Sequence, residues 1–221
     1  INNPLWEDRD RLILSIGHTA PVLYASLAEA GFFPKDECMT LRKIGSRLQG
    51  HPSKDSELPG VETSAGSLGQ GLGIAIGMAL SAKMDEKNYR TYCVMGDGEL
   101  QEGSVWEAAM AASNYRLDNL CAIIDRNRLQ IDGSTENVMA LEPLDEKWTS
   151  FGWNVVEIDG HDHNDIVDAF DVARATKGQP TLILANTIMG KGVKSIENDN
   201  KWHGKVPTKE QLIDFLNELE K

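Results

Sequence analysis

Apolar runs and longer segments of mixed polarity alternate along this chain. Tyr89-Arg-Thr-Tyr-Cys-Val-Met95 is short, apolar and rich in β-prone residues, the pattern of a strand buried in a parallel sheet. Leu120-Cys-Ala-Ile-Ile-Asp125, Trp153 to Ile158 and Thr181 to Ala185 read the same way. Between the first two strands an Ala-rich stretch, from about Gln101 to about Tyr115, predicts a helix. Its small residues allow close approach by another helix. A further helix is expected through Leu23, Leu27 and Ala30, with Thr19 as its cap and Gly31 as its stop. Asp36 to Ile44, Leu144 to Phe151, about Asp165 to Thr176 and Thr208 to Leu219 are also read as helices. Arg11-Leu-Ile-Leu-Ser15 is short and apolar, and Gly17-His18 breaks it. Gly45 to Pro52 reads as a loop. Strands alternating with helices predict one α/β domain around a parallel sheet.

Composition narrows the function. A chain of 221 residues is long enough for one sizeable α/β domain burying roughly 70–75% of its unfolded surface. A net charge of −12 with no basic stripe argues against nucleic acid, and leaves any anionic substrate to a few local cations. The longest apolar stretch, near Leu72 to Ala82, is too short and glycine-rich to span a membrane, and no signal peptide is visible. The widely spaced Cys38, Cys93 and Cys121 read as reduced thiols, which leads to the expectation of a cytoplasmic protein.

The first candidate chemistry lies where two strands end. Gly96-Asp97-Gly98 closes one strand, and Asn127 follows the next. The crossover helix between them brings both residues to the carboxyl edge of the sheet, where open α/β sheets bind ligands. A carboxylate and an amide oxygen are hard donors that suit Mg²⁺, which completes its octahedron with phosphate and water. Gly98 leaves room for a diphosphate, and a helix N-terminus follows. A bare Gly-Asp-Gly equally serves as a tight turn with Asp97 as a helix cap.

The longer runs are more specific. Gly-Asp-Gly-Glu-Leu-Gln-Glu-Gly103 together with Asn127 to Gly133 resembles the thiamine diphosphate motif in its transketolase form. Asp8 to Pro21, Gly45 to Pro52, Pro59 to Gly73, and the segment Asn186 to Gly192 with Trp202-His203-Gly204 resemble further transketolase segments. The resemblance spans Asp8 to about Val206. It implies the thiamine diphosphate-binding fold, a parallel sheet with helices on both faces. It implies that Asp97, Asn127 and the carbonyl of Leu129 hold Mg²⁺, and that Gly98 lies against the diphosphate. His18 and His203 would contact diphosphate or substrate, and His51 the reacting end of the substrate. The backbone of Gly66 to Leu68 would lie along the cofactor rings. Lys191 becomes a weaker phosphate candidate, as Arg47 is for the active site. Glu102 and Glu107 become candidates for a subunit interface. His161-Asp-His163 reads as a polar turn with a helix cap, not a metal site.

Two positions depart from the family pattern. Ile16 stands where the family has Lys or Asn, and Ala65 where it has Thr. The family also carries an N-terminal segment with a further Gly-His-Pro motif that is not seen here. A pyrimidine-binding domain does not follow in these 221 residues. The expectation is therefore the N-terminal subunit of a split transketolase of the pentose phosphate type. It would move a two-carbon ketol unit between sugar phosphates, active only in a heterotetramer with a pyrimidine-domain subunit. Another thiamine diphosphate enzyme, such as deoxyxylulose-phosphate synthase or a 2-oxo acid dehydrogenase, and a non-catalytic cofactor-binding module are the alternatives.

Overall fold

The computed structural model describes residues 3, 4 and 6–220; the domain limits at residues 1 and 221 lie outside the described residues. In chain order the main elements are β1 (Arg11–Leu14), α1 (Ala20–Glu29), α2 (Gly71–Met84), β2 (Thr91–Gly96), α3 (Gly103–Asn114), β3 (Leu120–Arg126), β4 (Leu129–Gln130), β5 (Gly133–Ser134) and α4 (Thr135–Val138). They continue through α5 (Leu144–Ser150), β6 (Asn154–Asp159), α6 (His163–Ala175), β7 (Thr181–Asn186) and α7 (Lys209–Leu219). The main sheet is parallel throughout, in the order β1-β2-β3-β7-β6. β4 and β5 form a separate antiparallel hairpin.

Side-chain alternation along β3 explains the layers. Leu120, Ala122 and Ile124 enter one core with α2, α3 and α5, while Cys121 and Ile123 enter another with Ala169, Phe170 and Ala173 of α6. The sheet thus has helices on both faces, as the resemblance implied. Each Leu or Ile taken fully out of water here stabilises the fold by about 1.5–3 kcal/mol. A third core gathers α1 and the loops after it around Leu23, Tyr24, Leu27, Phe33, Leu48 and Val61.

Two expectations about the chain are corrected. Thr19 sits at the N-cap position of α1 but makes no side-chain cap; its hydroxyl donates back to the Ile16 carbonyl at 2.8 Å. The expected helix Asp36 to Ile44 is a 3-10 turn over Lys35–Thr40, preceded by Pro34 in extended conformation. The small residues of α3 do admit another helix, and that helix is α2. Ala108, Ala109 and Ala112 are buried in this chain's own core beside Leu72, Ala75 and Ala79 of α2.

Candidate active site

The turn after β2 is held by its own carboxylate. Asp97 is 1% exposed. Its Oδ1 accepts from the Gly98 N–H at 2.8 Å, and its Oδ2 accepts from the Arg128 N–H at 2.6 Å and Arg126 Nη1 at 2.9 Å. Arg128 reaches that position with φ of +64°, a left-handed conformation that non-glycine residues seldom adopt. The same turn points Asn127 Oδ1 at the Leu129 N–H, 2.9 Å away. Asp97 and Asn127 are therefore locked to one another through consecutive backbone amides. Burial raises the Asp97 carboxyl above its ordinary value, opposed by the hydrogen bonds from Arg126, Arg128 and Gly98.

These donors fit a small divalent ion. A carboxylate offers about four lone-pair positions. Three on Asp97 are used, which leaves one on Oδ1, and Asn127 Oδ1 keeps one. Among the described residues no cluster of three or more His, Cys, Asp or Glu side chains could hold a metal alone. An ion here would need oxygens from elsewhere, as Mg²⁺ bound with a diphosphate does. Gln130 Nε2 is buried with no partner among the described residues. A methyl group built on Gly98 would lie 3.2 Å from Gln130 Cβ and 3.5 Å from its Oε1. Gln130 thus fills the space a side chain at Gly98 would take, and its unpaired amide donor suits an acceptor such as a phosphate oxygen.

Three histidines gather on the segments around this edge. The rings of His18 and His203 are 5.0 Å apart. His18 follows β1 on the 3-10 turn Gly17–Thr19. A Cβ on Gly17 would lie 2.7–2.8 Å from backbone atoms of Ala65 and Gly66, so this turn rests directly on the glycine-rich segment. The Ala65 N–H donates to the Pro52 carbonyl at 3.0 Å, and His51 Cδ2 lies 4.0 Å from the Cβ position of Gly66. His18, His51 and Gly66 thus meet. His203 is brought in by Asn200, which donates to the Ile131 carbonyl at 2.9 Å, and by Trp202 packed edge-on to Phe215 of α7. Loss of water, then the charges of His203 and His51, push the His18 pKa below its ordinary value. His18 is thereby kept neutral near pH 7, able to accept or pass a proton.

The remaining candidates have other neighbours. Lys191 lines a groove of about 480 Å³ with Glu157, Asp159, His161, Asp165 and Thr187, at the ends of β6 and β7. Arg47 is engaged by Glu37 in a bidentate pair at 2.6 and 2.9 Å. Asp162 caps α6 and His161 Nε2 accepts from the Ile188 N–H at 2.8 Å, so that turn is structural. Glu102 and Glu107 are exposed and make no ion pair among the described residues. Leu68 is half-buried beside Gly66. Ile16 packs against Gly96 instead of joining a polar lining.

Sequence reading missed two residues. Glu99, 2% exposed, accepts from the Ser15 hydroxyl, from the Gly69 N–H at 2.7 Å and from the Gly96 N–H at 3.3 Å. Arg126 is the guanidinium behind Asp97. Neither has a local signal, because Ser15 and Gly69 reach Glu99, and Asp97 reaches Arg126, only through the fold.

Comparison with known proteins identifies the family. The family model described as "Transketolase, thiamine diphosphate binding domain" matches residues 1–218. The chain is 47% identical to one of the subunits of apulose-4-phosphate transketolase from Phocaeicola vulgatus, over 99% of this chain and 77% of that protein. It is 46% identical to "6-deoxy-6-sulfo-D-fructose transketolase subunit SqwG" of Clostridium sp., over 100% of this chain and 80% of that protein. It is also 46% identical to human transketolase, of which it spans 34%. Transketolase from Campylobacter jejuni superposes with a TM-score of 0.92 at 33% identity, over 99% of this chain and 35% of that one.

Proposed function

The chain belongs to the transketolase family of thiamine diphosphate-binding domains, and from that premise we propose that it is the cofactor-binding subunit of a two-chain transketolase. One observation carries the reading: the turn that holds Asp97 and Asn127 through the Gly98, Arg128 and Leu129 amides is tied, by the Gly69 N–H on Glu99, to the glycine-rich segment on which the turns of His18 and His51 rest. Asp97, Asn127 and Leu129 would hold Mg²⁺, with Gly98 and Gln130 beside the diphosphate. Thiamine diphosphate, when bound, supplies the carbon nucleophile for ketol transfer. The chain's own part is to orient it and to move protons. Neutral His18 can take a proton from a substrate hydroxyl, and His51 and His203 can donate hydrogen bonds to a developing oxyanion.

The relatives whose length this chain mostly covers are named as subunits, and that supports a partner chain carrying the pyrimidine half of the site. Their named sugars, apulose-4-phosphate and 6-deoxy-6-sulfo-D-fructose, support a ketose with a terminal anionic group as substrate. The test is ketol transfer by this chain mixed with the product of the neighbouring gene. Activity should appear with Mg²⁺ and thiamine diphosphate and saturate near equimolar chains. It should fall to background in Asp97→Asn. An assembled complex that binds neither Mg²⁺ nor the cofactor would refute the reading.

A further inference from the structure

Gly69 is gripped at both of its polar groups by residues that follow Asp97. Its N–H donates to Glu99 Oε1, and its carbonyl accepts from Ser104 Oγ, in the first turn of α3, at 3.0 Å. Three residues earlier the chain is fixed again: the Gly17–Thr19 turn rests on Ala65 and Gly66, and the Ala65 N–H donates to the Pro52 carbonyl. Between these two anchors Gly66 and Ser67 are exposed and Leu68 is half-buried. Among the described residues their three N–H groups have no acceptor. An amide covered by a ligand needs an acceptor there, and a short stretch tied at both ends offers its donors with little ordering cost.

The grip on Gly69 acts on distance and not on the Asp97 turn itself. The Asp97 carboxylate is held by Arg126, Arg128 and Gly98, and uses neither Glu99 nor Ser104. Glu99 and Ser104 therefore set how far the Gly66–Leu68 donors stand from the Asp97 seat without shaping that seat. A ligand that joins a diphosphate to an organic half gains from its second contact only when the two seats match its own length; otherwise the second contact loses its effective concentration. We propose that Glu99 and Ser104 are positioning residues that hold the Gly66–Leu68 backbone at the length of thiamine diphosphate, so that its rings and its diphosphate are bound together. This deepens the function proposed above and rests on it.

The test is calorimetry on the complex assembled with the partner chain, with Mg²⁺ present, titrating thiamine diphosphate and, separately, inorganic diphosphate. The readout is the factor by which thiamine diphosphate binds more tightly than inorganic diphosphate, which cancels any general loss of anion binding. Ser104→Ala releases the Gly69 carbonyl, and Glu99→Ala releases its N–H. Each should lower that factor by about 3–10-fold, the net contribution of one hydrogen bond, and leave the affinity for inorganic diphosphate at the wild-type value. Glu99→Gln keeps an acceptor oxygen for Gly69 and Ser15 and should recover most of the loss. Ser104 is only half-buried, so Ser104→Ala decides the matter where Glu99→Ala fails to fold. Folded variants with the wild-type factor, or with both ligands weakened alike, overturn the positioning role. A wild-type complex that binds neither ligand overturns the cofactor site itself.

Discussion

Glu99 Oε1 accepts a hydrogen bond from the Gly69 N–H at 2.7 Å, joining the turn after β2 to the segment that carries Gly66. The same oxygen takes the Ser15 hydroxyl, and Ser15 Oγ accepts from the Gly71 N–H at 3.1 Å. One carboxylate thus ties three loops of the candidate site. Glu99→Ala would leave buried donors unpaired and should destabilise the chain by about 1–3 kcal/mol, read by urea denaturation. Burial raises the Glu99 pKa. A raised folded pKa means its contribution is full below the unfolded value, about 4.3, and is lost as pH rises through the folded one. Glu99→Gln cannot ionise, so its stability should fall less than wild type over that window. Parallel curves would remove the linkage.

His18 has the opposite sign. Its pKa is lowered, so its contribution is present above the unfolded value, about 6.5, and is lost as pH falls through the folded one. The charge of His203 is one of the causes. His203→Phe should move the His18 imidazole titration upward in an NMR experiment, though not to the ordinary value, because burial remains. A downward or absent shift would contradict the pairing.

His51 lies over Gly66. His51→Ala should lower turnover of the assembled complex by roughly 10–150-fold, the equivalent of a charged hydrogen bond of about 1.5–3 kcal/mol. Thiamine diphosphate affinity, measured by fluorescence quenching, should stay near wild type. An equal loss in both would make His51 a cofactor residue.

Two glycines of one motif should respond in opposite ways. Gly69 has φ of +80°, and a Cβ there would meet Ser104 Oγ at 2.6 Å and Glu102 Cβ at 2.7 Å. Gly73 is exposed inside α2 with nothing within 4 Å. Thermal melts of the isolated chain should show Gly69→Ala strongly destabilised. Gly73→Ala should be stabilised by roughly 0.5–1 kcal/mol.

The sequence made the strands around Cys93, Ile124 and Leu184 legible because continuous apolar runs have one outcome when both faces of a sheet are covered. It also brought Asp97 and Asn127 to one sheet edge, since a strand end fixes where the next residue lies. What it hid was long-range pairing. Glu99 looks like one more carboxylate in an acidic chain until Ser15 and Gly69 are folded onto it. Arg126 looks solvated until Thr135, Glu136 and Glu142 close around it. With only four residues, β1 was too short an apolar run to declare itself an edge strand, and the Lys35–Thr40 turn lacked the apolar repeat that separates an α-helix from a 3-10 turn.

The register of the sheet has a consequence for how the protein matures. Arg11 lies opposite Thr91, and Cys121 opposite Thr181. Contacts of such sequence separation form slowly, since loop closure precedes the contacts that reward it. The loop bearing His18 therefore joins Asp97 and Asn127, which share the β2-α3-β3 unit, only once β1 has paired with β2, and a partly folded chain lacks the complete site. A ligand confined to the native state shifts the folding equilibrium by mass action, by about 2.7 kcal/mol at one hundred times its Kd. Cofactor supply would then set how much of this subunit survives proteolysis, as well as how much of it is active.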